Sequence, residues 1–280
     1  MVVTQEKKGV YLLKRENIQK KHEEDLQRIR NFRLLDDDFM SKVFEDKTCA
    51  EILLRIILQR ENLKVKYVHV QQEIKNLQGR SIRLDILAED TSGKLYNVEV
   101  QRSDKGASRK RARHNSSLLD ANITDAGEEY EKLNSTYVIF ITENDILKSG
   151  LPIYHIDRTV KETGESFEDG AHIIYVNSQI KNETELGKLM HDFSCTNAED
   201  MNYSVLADRV RYFKEDEKGV STMCKAMEDM RNEAHEEGRT AERRTHIREM
   251  LLDHVPIEKI KQYTSATDEE ILEIQRELKQ

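Results

Sequence analysis

Residues 83–102, RLDILAEDTSGKLYNVEVQR, alternate apolar and polar side chains on either side of a short polar turn. Side chains of a strand point to alternate faces. On the first arm Ile82, Leu84, Ile86 and Ala88 therefore share one face, and Arg83, Asp85 and Leu87 the other. On the second arm Tyr96, Val98 and Val100 oppose Asn97, Glu99 and Gln101. If both apolar sets cover one core, a turn centred on Ser92 pairs Glu89 with Leu95 and sets Asp85 opposite Glu99. A slip of one residue would send the two apolar sets to opposite faces, so hydrophobicity selects this register. The stretch predicts a hairpin with one carboxylate on each arm, their Cβ atoms about 4.5–5.5 Å apart.

The flanking chain supplies the rest of a sheet. Ile52, Leu53, Ile56, Ile57 and Leu58 recur at helical spacing and predict a helix from about Cys49 to Gln59. VKYVHVQQEIKNL, rich in β-branched and aromatic residues, reads as a strand leading into the hairpin. DKGASRKRARHNSSLLDANI reads as a helix, and STYVIFIT (135–142) and AHIIYVN (171–177) as buried strands. Helix, three strands, helix, strand and a further strand predict an α/β fold with a mixed sheet flanked by helices. Beyond about Asn182 the pattern is almost wholly helical, and Thr267 or Asp268 starts a short capped helix. The predicted division is an N-terminal helical arm (1–35), an α/β domain (36–200) and a charged helical C-terminal region (201–280). Two readings of that last region stand: a solvated helix packing one narrow stripe, or a tail that dimerises.

Charge decides which partners suit the chain. The net charge is −8, which counts mildly against nucleic-acid binding, but six basic residues crowd Arg102–Arg113 against a single acid, Asp104. No apolar run approaches the ~18 residues of a membrane span. The N-terminus carries no signal-peptide core, and Cys49, Cys195 and Cys224 form no CxxC pair. A cytoplasmic protein without a membrane partner is the expectation.

Opposed carboxylates repel; a shared proton or a divalent cation relieves them. Hard cations such as Mg²⁺ favour carboxylate and carbonyl oxygen. Gln101, on the same face, can hold a water or a phosphate oxygen. The alternative is a solvent-facing hairpin edge whose acids pair with Arg83 and nearby lysines. Arg102, Lys105, Arg109 and Arg113 follow at spacings of three, four and four, one face of a predicted helix directly after the acid-bearing strand. A cationic face beside a carboxylate site is what phosphodiester hydrolysis uses; a merely solvated helix face is the other reading.

D-x(13)-E-x-Q on a hairpin, within this order of elements, resembles the PD-(D/E)XK nuclease superfamily. More narrowly, RLDILAED…YNVEVQR, RARHNSSLLDANITDAGEEYEKLNSTYVIFITENDI and LPIYHIDRTVKETGESFEDGAHIIYVN resemble the recombination-promoting nuclease group, the PD-(D/E)XK family transposases. The likeness covers roughly residues 32–235. It implies a restriction-endonuclease-like αβββαβ core with a helical C-terminal extension. It further implies Asp85 and Glu99 as ligands of Mg²⁺ or Mn²⁺, with the Val100 carbonyl a third. Gln101 stands where many members carry lysine, and Glu51 where the first helix often gives an extra acid. Arg111, Arg113 and His114 fall where phosphate is touched or the site ordered. The implied activity is a Mg²⁺-dependent DNA endonuclease linked to recombination or mobile elements in a bacterium, with the C-terminal helices pairing a homodimer. The alternatives are a DNA-binding or regulatory protein on a nuclease fold that does not cut, and an enzyme acting on RNA.

Overall fold

In the computed structural model, which describes residues 19–278 apart from 77–80, 124–126 and 128, the hairpin forms in the expected register. Residues 1–18 of the expected N-terminal arm lie outside the described residues. Strands β2 (Ile82–Asp90) and β3 (Leu95–Gln101) run antiparallel, with Ile86 opposite Val98 and Glu89 opposite Leu95. Asp90 holds the turn. Its Oδ1 accepts from the Ser92 and Lys94 amides and the Ser92 hydroxyl, and its Oδ2 from the Tyr96 hydroxyl at 2.7 Å. Gly93, at φ 82°, supplies the left-handed residue that closes it.

Four more strands extend the hairpin into a mixed six-stranded sheet of order β1-β2-β3-β4-β6-β5. β1 (Val65–Ile74) lies antiparallel to β2. β4 (Thr136–Thr142) lies parallel to β3, and β6 (Ala171–Asn177) parallel to β4. Parallel neighbours need a crossover, and between β3 and β4 it is helix α4 (Arg109–Ile123). A helix over residues 19–31 (α1), α2 (Asp37–Phe44) and α3 (Lys47–Leu58) precede the sheet; α5 (Glu185–Ser194) and α6 (Ser204–Glu215) follow it. The αβββαβ order is present. The sequence reading does not include β5 (Ile153–Ile156), a four-residue edge strand with its last two residues exposed and too short to show a period.

The central strand is apolar throughout because both its faces are covered: Val138, Ile139, Phe140 and Ile141 are fully buried. On one face Val138, Phe140 and Tyr175 pack on Ala107 and Ala112 at the start of the crossover. Among the flanking helices, Phe44 stacks on Phe193 and Phe39 meets Phe213 edge-on.

The basic segment is not one helix from Arg102. Asp104–Ala107 forms a 3-10 turn, Ser108 is extended, and α4 starts only at Arg109. The Ser108 hydroxyl accepts from the Arg111 amide at 3.2 Å, the bond of a helix-starting cap, so the serine sets the boundary. Arg102 and Lys105 thus leave the α-helical face that Arg109 and Arg113 share.

Two compact units divide the chain, one through Cys224 and one from Lys225 onward; residues 201–224 and α6 belong to the first. α7 (Glu217–Leu252) leads to α8 (Ile257–Thr264) and α9 (Asp268–Leu278). In the second unit Ile247, Ile260, Ala266, Ile271 and Ile274 form a small core. Arg243, Arg244 and Arg248 pair with Glu270, Glu273 and Glu277. Thr267 and Glu270 exchange the reciprocal bonds of a capping box at the head of α9. Among the described residues no helix is long and apolar enough to cross a membrane.

A cage of alternating charges pins α2 to the sheet. Asp36, the residue before α2, accepts from the Arg33 amide at 2.7 Å and from the Arg102 guanidinium at 2.8 Å. Glu143, after β4, accepts from Arg33 at 3.1 Å and Arg102 at 3.4 Å. Removing Asp36 takes one acceptor from each arginine and leaves both to Glu143. We expect Asp36→Ala to lower unfolding free energy by about 1–3 kcal/mol in urea titration, and the neighbouring Asp38→Ala to stay within about 0.5 kcal/mol of wild type. Equal, small effects from both would show that the cage does not anchor the helix.

Candidate active site

The β2–β3 ladder runs as far as Ile86 and Val98, and Asp85 and Glu99 are the next residue on each strand, close enough for the charge of Glu99 to act on Asp85. Their residues are 6% and 0% exposed, which rules out the reading of a solvent-facing edge. The Val100 amide donates to Asp85 Oδ2 at 3.0 Å, so β3 itself holds the first acid in place. Both oxygens of Glu99 are engaged. Asn97 Nδ2 donates to Oε1 at 2.8 Å and Arg111 Nη2 to Oε2 at 2.7 Å. Asn97 is buried and in turn accepts from Asn115 of α4 at 3.4 Å. Gln101 Oε1 lies 3.4 Å from Arg111 Nη1, and its amide packs so close to Gly106 that any side chain there would collide with it.

A third acid arrives from a helix. Asp37, the first residue of α2, is near enough for its charge to act on both Asp85 and Glu99. Gln71 orients it: the amide donates to Asp37 Oδ1 at 3.3 Å and to the Ser41 hydroxyl at 2.6 Å. Gln71 lies between the residues that face Leu84 and Ile86, hence across from Asp85, and has the left-handed φ of 52°.

Burial governs the proton affinities. It pushes Asp85 up to about 8, reinforced by the charges of Glu99 and Asp37 and opposed by the Val100 amide and Arg111. Burial also raises Glu99, against the Asn97 hydrogen bond and Arg111. Asp37 is raised by burial and by Asp38, with Gln71, Arg83 and Arg111 opposing. The site therefore carries more potential negative charge than its cations balance.

Of the residues singled out from sequence, the structure brings together Asp85, Glu99, Val100, Gln101 and Arg111. Glu51 is placed elsewhere. Its carboxylate accepts from the Val65 amide at 2.9 Å and from Arg55 and Lys64, tying α3 to the start of β1. Val65 is six residues along β1 from Gln71, about 20 Å at the rise of a strand. The helical acid is Asp37 because α2 and α3 are separate helices, the second begun by the Asp46 cap. Arg102 is turned into the Asp36–Glu143 cage, while Lys105, Arg109 and Arg113 are exposed and His114 is half-buried.

Elsewhere, His191, Asp192 and Cys195 bring possible metal-ligand atoms within 4.8 Å of one another. Their geometry is that of a loop staple. Both oxygens of Asp192 accept from Asn202 and Tyr203, and burial pushes the Cys195 thiol up to about 11.

A family model described as PD-(D/E)XK nuclease family transposase matches residues 38–251. No curated protein and no solved structure matches the chain.

A carboxyl whose folded pKa lies above its unfolded value of ~3.9 binds a proton on folding, so its contribution favours the fold at low pH and is lost as pH rises toward the folded value. For Asp85 that window runs up to about 8. In chelator, Asp85→Asn should raise the Tm at pH 8, by roughly 2–4 °C per kcal/mol recovered, and much less at pH 5. An equal shift at both pH values would show that Asp85 does not carry the repulsion.

Proposed function

This chain belongs to the PD-(D/E)XK nuclease family transposases, and we propose that it is a divalent-metal-dependent DNA endonuclease working through Asp85, Glu99 and Gln101. One observation carries the reading: Asp85 and Glu99 are both buried on neighbouring strands, close enough for the charge of Glu99 to act on Asp85. Asp90, the structural acid of the same hairpin, instead has both oxygens held by amides and hydroxyls of its own turn. An all-oxygen donor set like that of Asp85 and Glu99 suits Mg²⁺ or Mn²⁺. Asp85, Glu99 and the Val100 carbonyl would hold the ion, with Asp37 a further acid beside them. When bound there it lowers the pKa of a water and offsets charge developing on the phosphate.

The chain's own groups do the rest. Gln101, neutral, orients a water or phosphate oxygen by hydrogen bonding and takes no proton. Lys105, Arg109 and Arg113, exposed at the start of the crossover, hold the phosphate backbone without reading bases. Against a net charge of −8, binding rests on these local phosphate contacts and is expected to weaken as salt rises. The setting that fits is recombination or mobile elements, in the cytoplasm. A homodimer joined through the C-terminal helices would bring two sites to two strands; Leu252, Ile257 and Leu272, exposed in the second unit, support such pairing.

A second reading, a DNA-binding protein that does not cut, draws on the double engagement of Glu99 by Asn97 and Arg111. Supercoiled plasmid with Mg²⁺ or Mn²⁺ separates the two. Wild type should nick or linearise it, and Asp85→Ala, Glu99→Ala and EDTA should each abolish the cutting. A gel shift without cutting would favour the second reading, and cutting of structured RNA in preference to DNA would reassign the substrate.

A further inference from the structure

Arg111 is joined to the site more closely than a backbone-holding arginine needs to be. Its guanidinium reaches from solvent, where its side chain is 36% exposed, to the fully buried carboxylate of Glu99. It donates to Glu99 Oε2 at 2.7 Å, to Gln101 Oε1 at 3.4 Å and to the Gly106 carbonyl at 3.0 Å. The Phe140 ring lies 6.0 Å beneath it. Its backbone amide is held by the Ser108 cap. A guanidinium has five N–H donors, so these three bonds leave two for a further acceptor. β3 contributes to the same place only Asn97, Glu99 and Gln101, two amides and an acid.

On the nuclease reading, we infer that Arg111 is the catalytic cation of the site, its outward donors taking a non-bridging oxygen of the scissile phosphate. In hydrolysis a lone pair of the water oxygen forms the new P–O bond. The P–O bond to the leaving sugar oxygen breaks with its electron pair on that oxygen, which takes up a proton, and the attacking water gives up one to solvent. Negative charge grows on the non-bridging oxygens during this exchange. A planar cation already fixed by Glu99, Gly106 and Phe140 meets that charge with little reorganisation. Gln101 then links water and cation, since its carbonyl oxygen sits on Arg111 while its NH₂ remains to turn toward the water. Lys105, Arg109 and Arg113 bind DNA; Arg111 acts on the reacting group.

A positional exchange of charge tests this. Plasmid nicking, DNA gel shift, Mn²⁺ binding and thermal melting would be measured for wild type, Arg111→Met, Arg111→Lys and the double variant Arg111→Met/Gln101→Lys. We expect Arg111→Met to lower kcat about 100- to 1,000-fold, with DNA affinity changed by less than roughly threefold and Mn²⁺ binding kept or strengthened, since a competing cation leaves Glu99. Arg111→Lys should keep part of the rate, and lysine at position 101 should recover at least roughly tenfold of the loss, by returning a cation to the place Arg111 vacates. Wild-type cutting by Arg111→Met would overturn the role. So would a loss matched by weaker Mn²⁺ binding or a fallen Tm and not rescued at position 101, which would leave Arg111 as a support for Glu99. Wild type that cuts nothing removes the nuclease reading and this role with it, whereas a cutting wild type with an equally active Arg111→Met removes the role alone.

Discussion

Two carboxylates forced together out of water dictate the surroundings of this sheet. Asp85 and Glu99 come together just beyond the paired stretch of β2 and β3 because the apolar sets of the hairpin fix its register. Both acids are buried, so nearby groups answer their charge. The Val100 amide answers on the strand itself, Asn97 from two residues away, and Arg111 from the crossover helix. The parallel pairing of β3 with β4 makes that crossover necessary, and so brings a helix across the acids. Topology and electrostatics meet at one residue.

The polar machinery gathers at one end of the central strands. Gln101 pairs with Thr142 at the carboxyl ends of the parallel strands β3 and β4, and Arg102 and Glu143 follow directly. Crevices outside such ends are where open α/β sheets place their ligands. The cage of Arg33, Asp36, Arg102 and Glu143 sits at this end and fixes where α2 begins. Since Asp37 is the first residue of α2, the cage also fixes where the third acid stands. Two arginines are spent on holding an aspartate in place, which explains why Arg102 does not join the exposed cationic face.

Much of this was legible in the chain. Five of the six strands are legible through β-branched runs and alternation, the short edge strand β5 being the exception, and the hairpin register follows from Leu84, Ile86, Ala88, Tyr96, Val98 and Val100. Alternation also put Asn97 on the face of Glu99 and Gln101; what it did not convey was that an asparagine buried there bonds the acid. Asp37 was hidden among Asp36, Asp37 and Asp38, three equivalent acids of which tertiary placement sends one to the cage, one to the site and one toward Arg28. Glu51 misled because an acid on a strongly amphipathic helix reads the same whether it meets a metal or a strand amide. The basic run misled through periodicity: spacings of three and four persist in sequence across a serine that starts the helix afresh.

Gln71 stands in the left-handed region in the middle of a strand, where a residue with a Cβ is strained and glycine is not. Its amide nevertheless reaches Asp37 and Ser41, which a glycine could not do. Backbone comfort and site geometry therefore pull position 71 in opposite directions, and the glutamine marks which of them has prevailed. The cost of ordering Asp37 is thus stored in the main chain of β1, a strand away from the acid it positions.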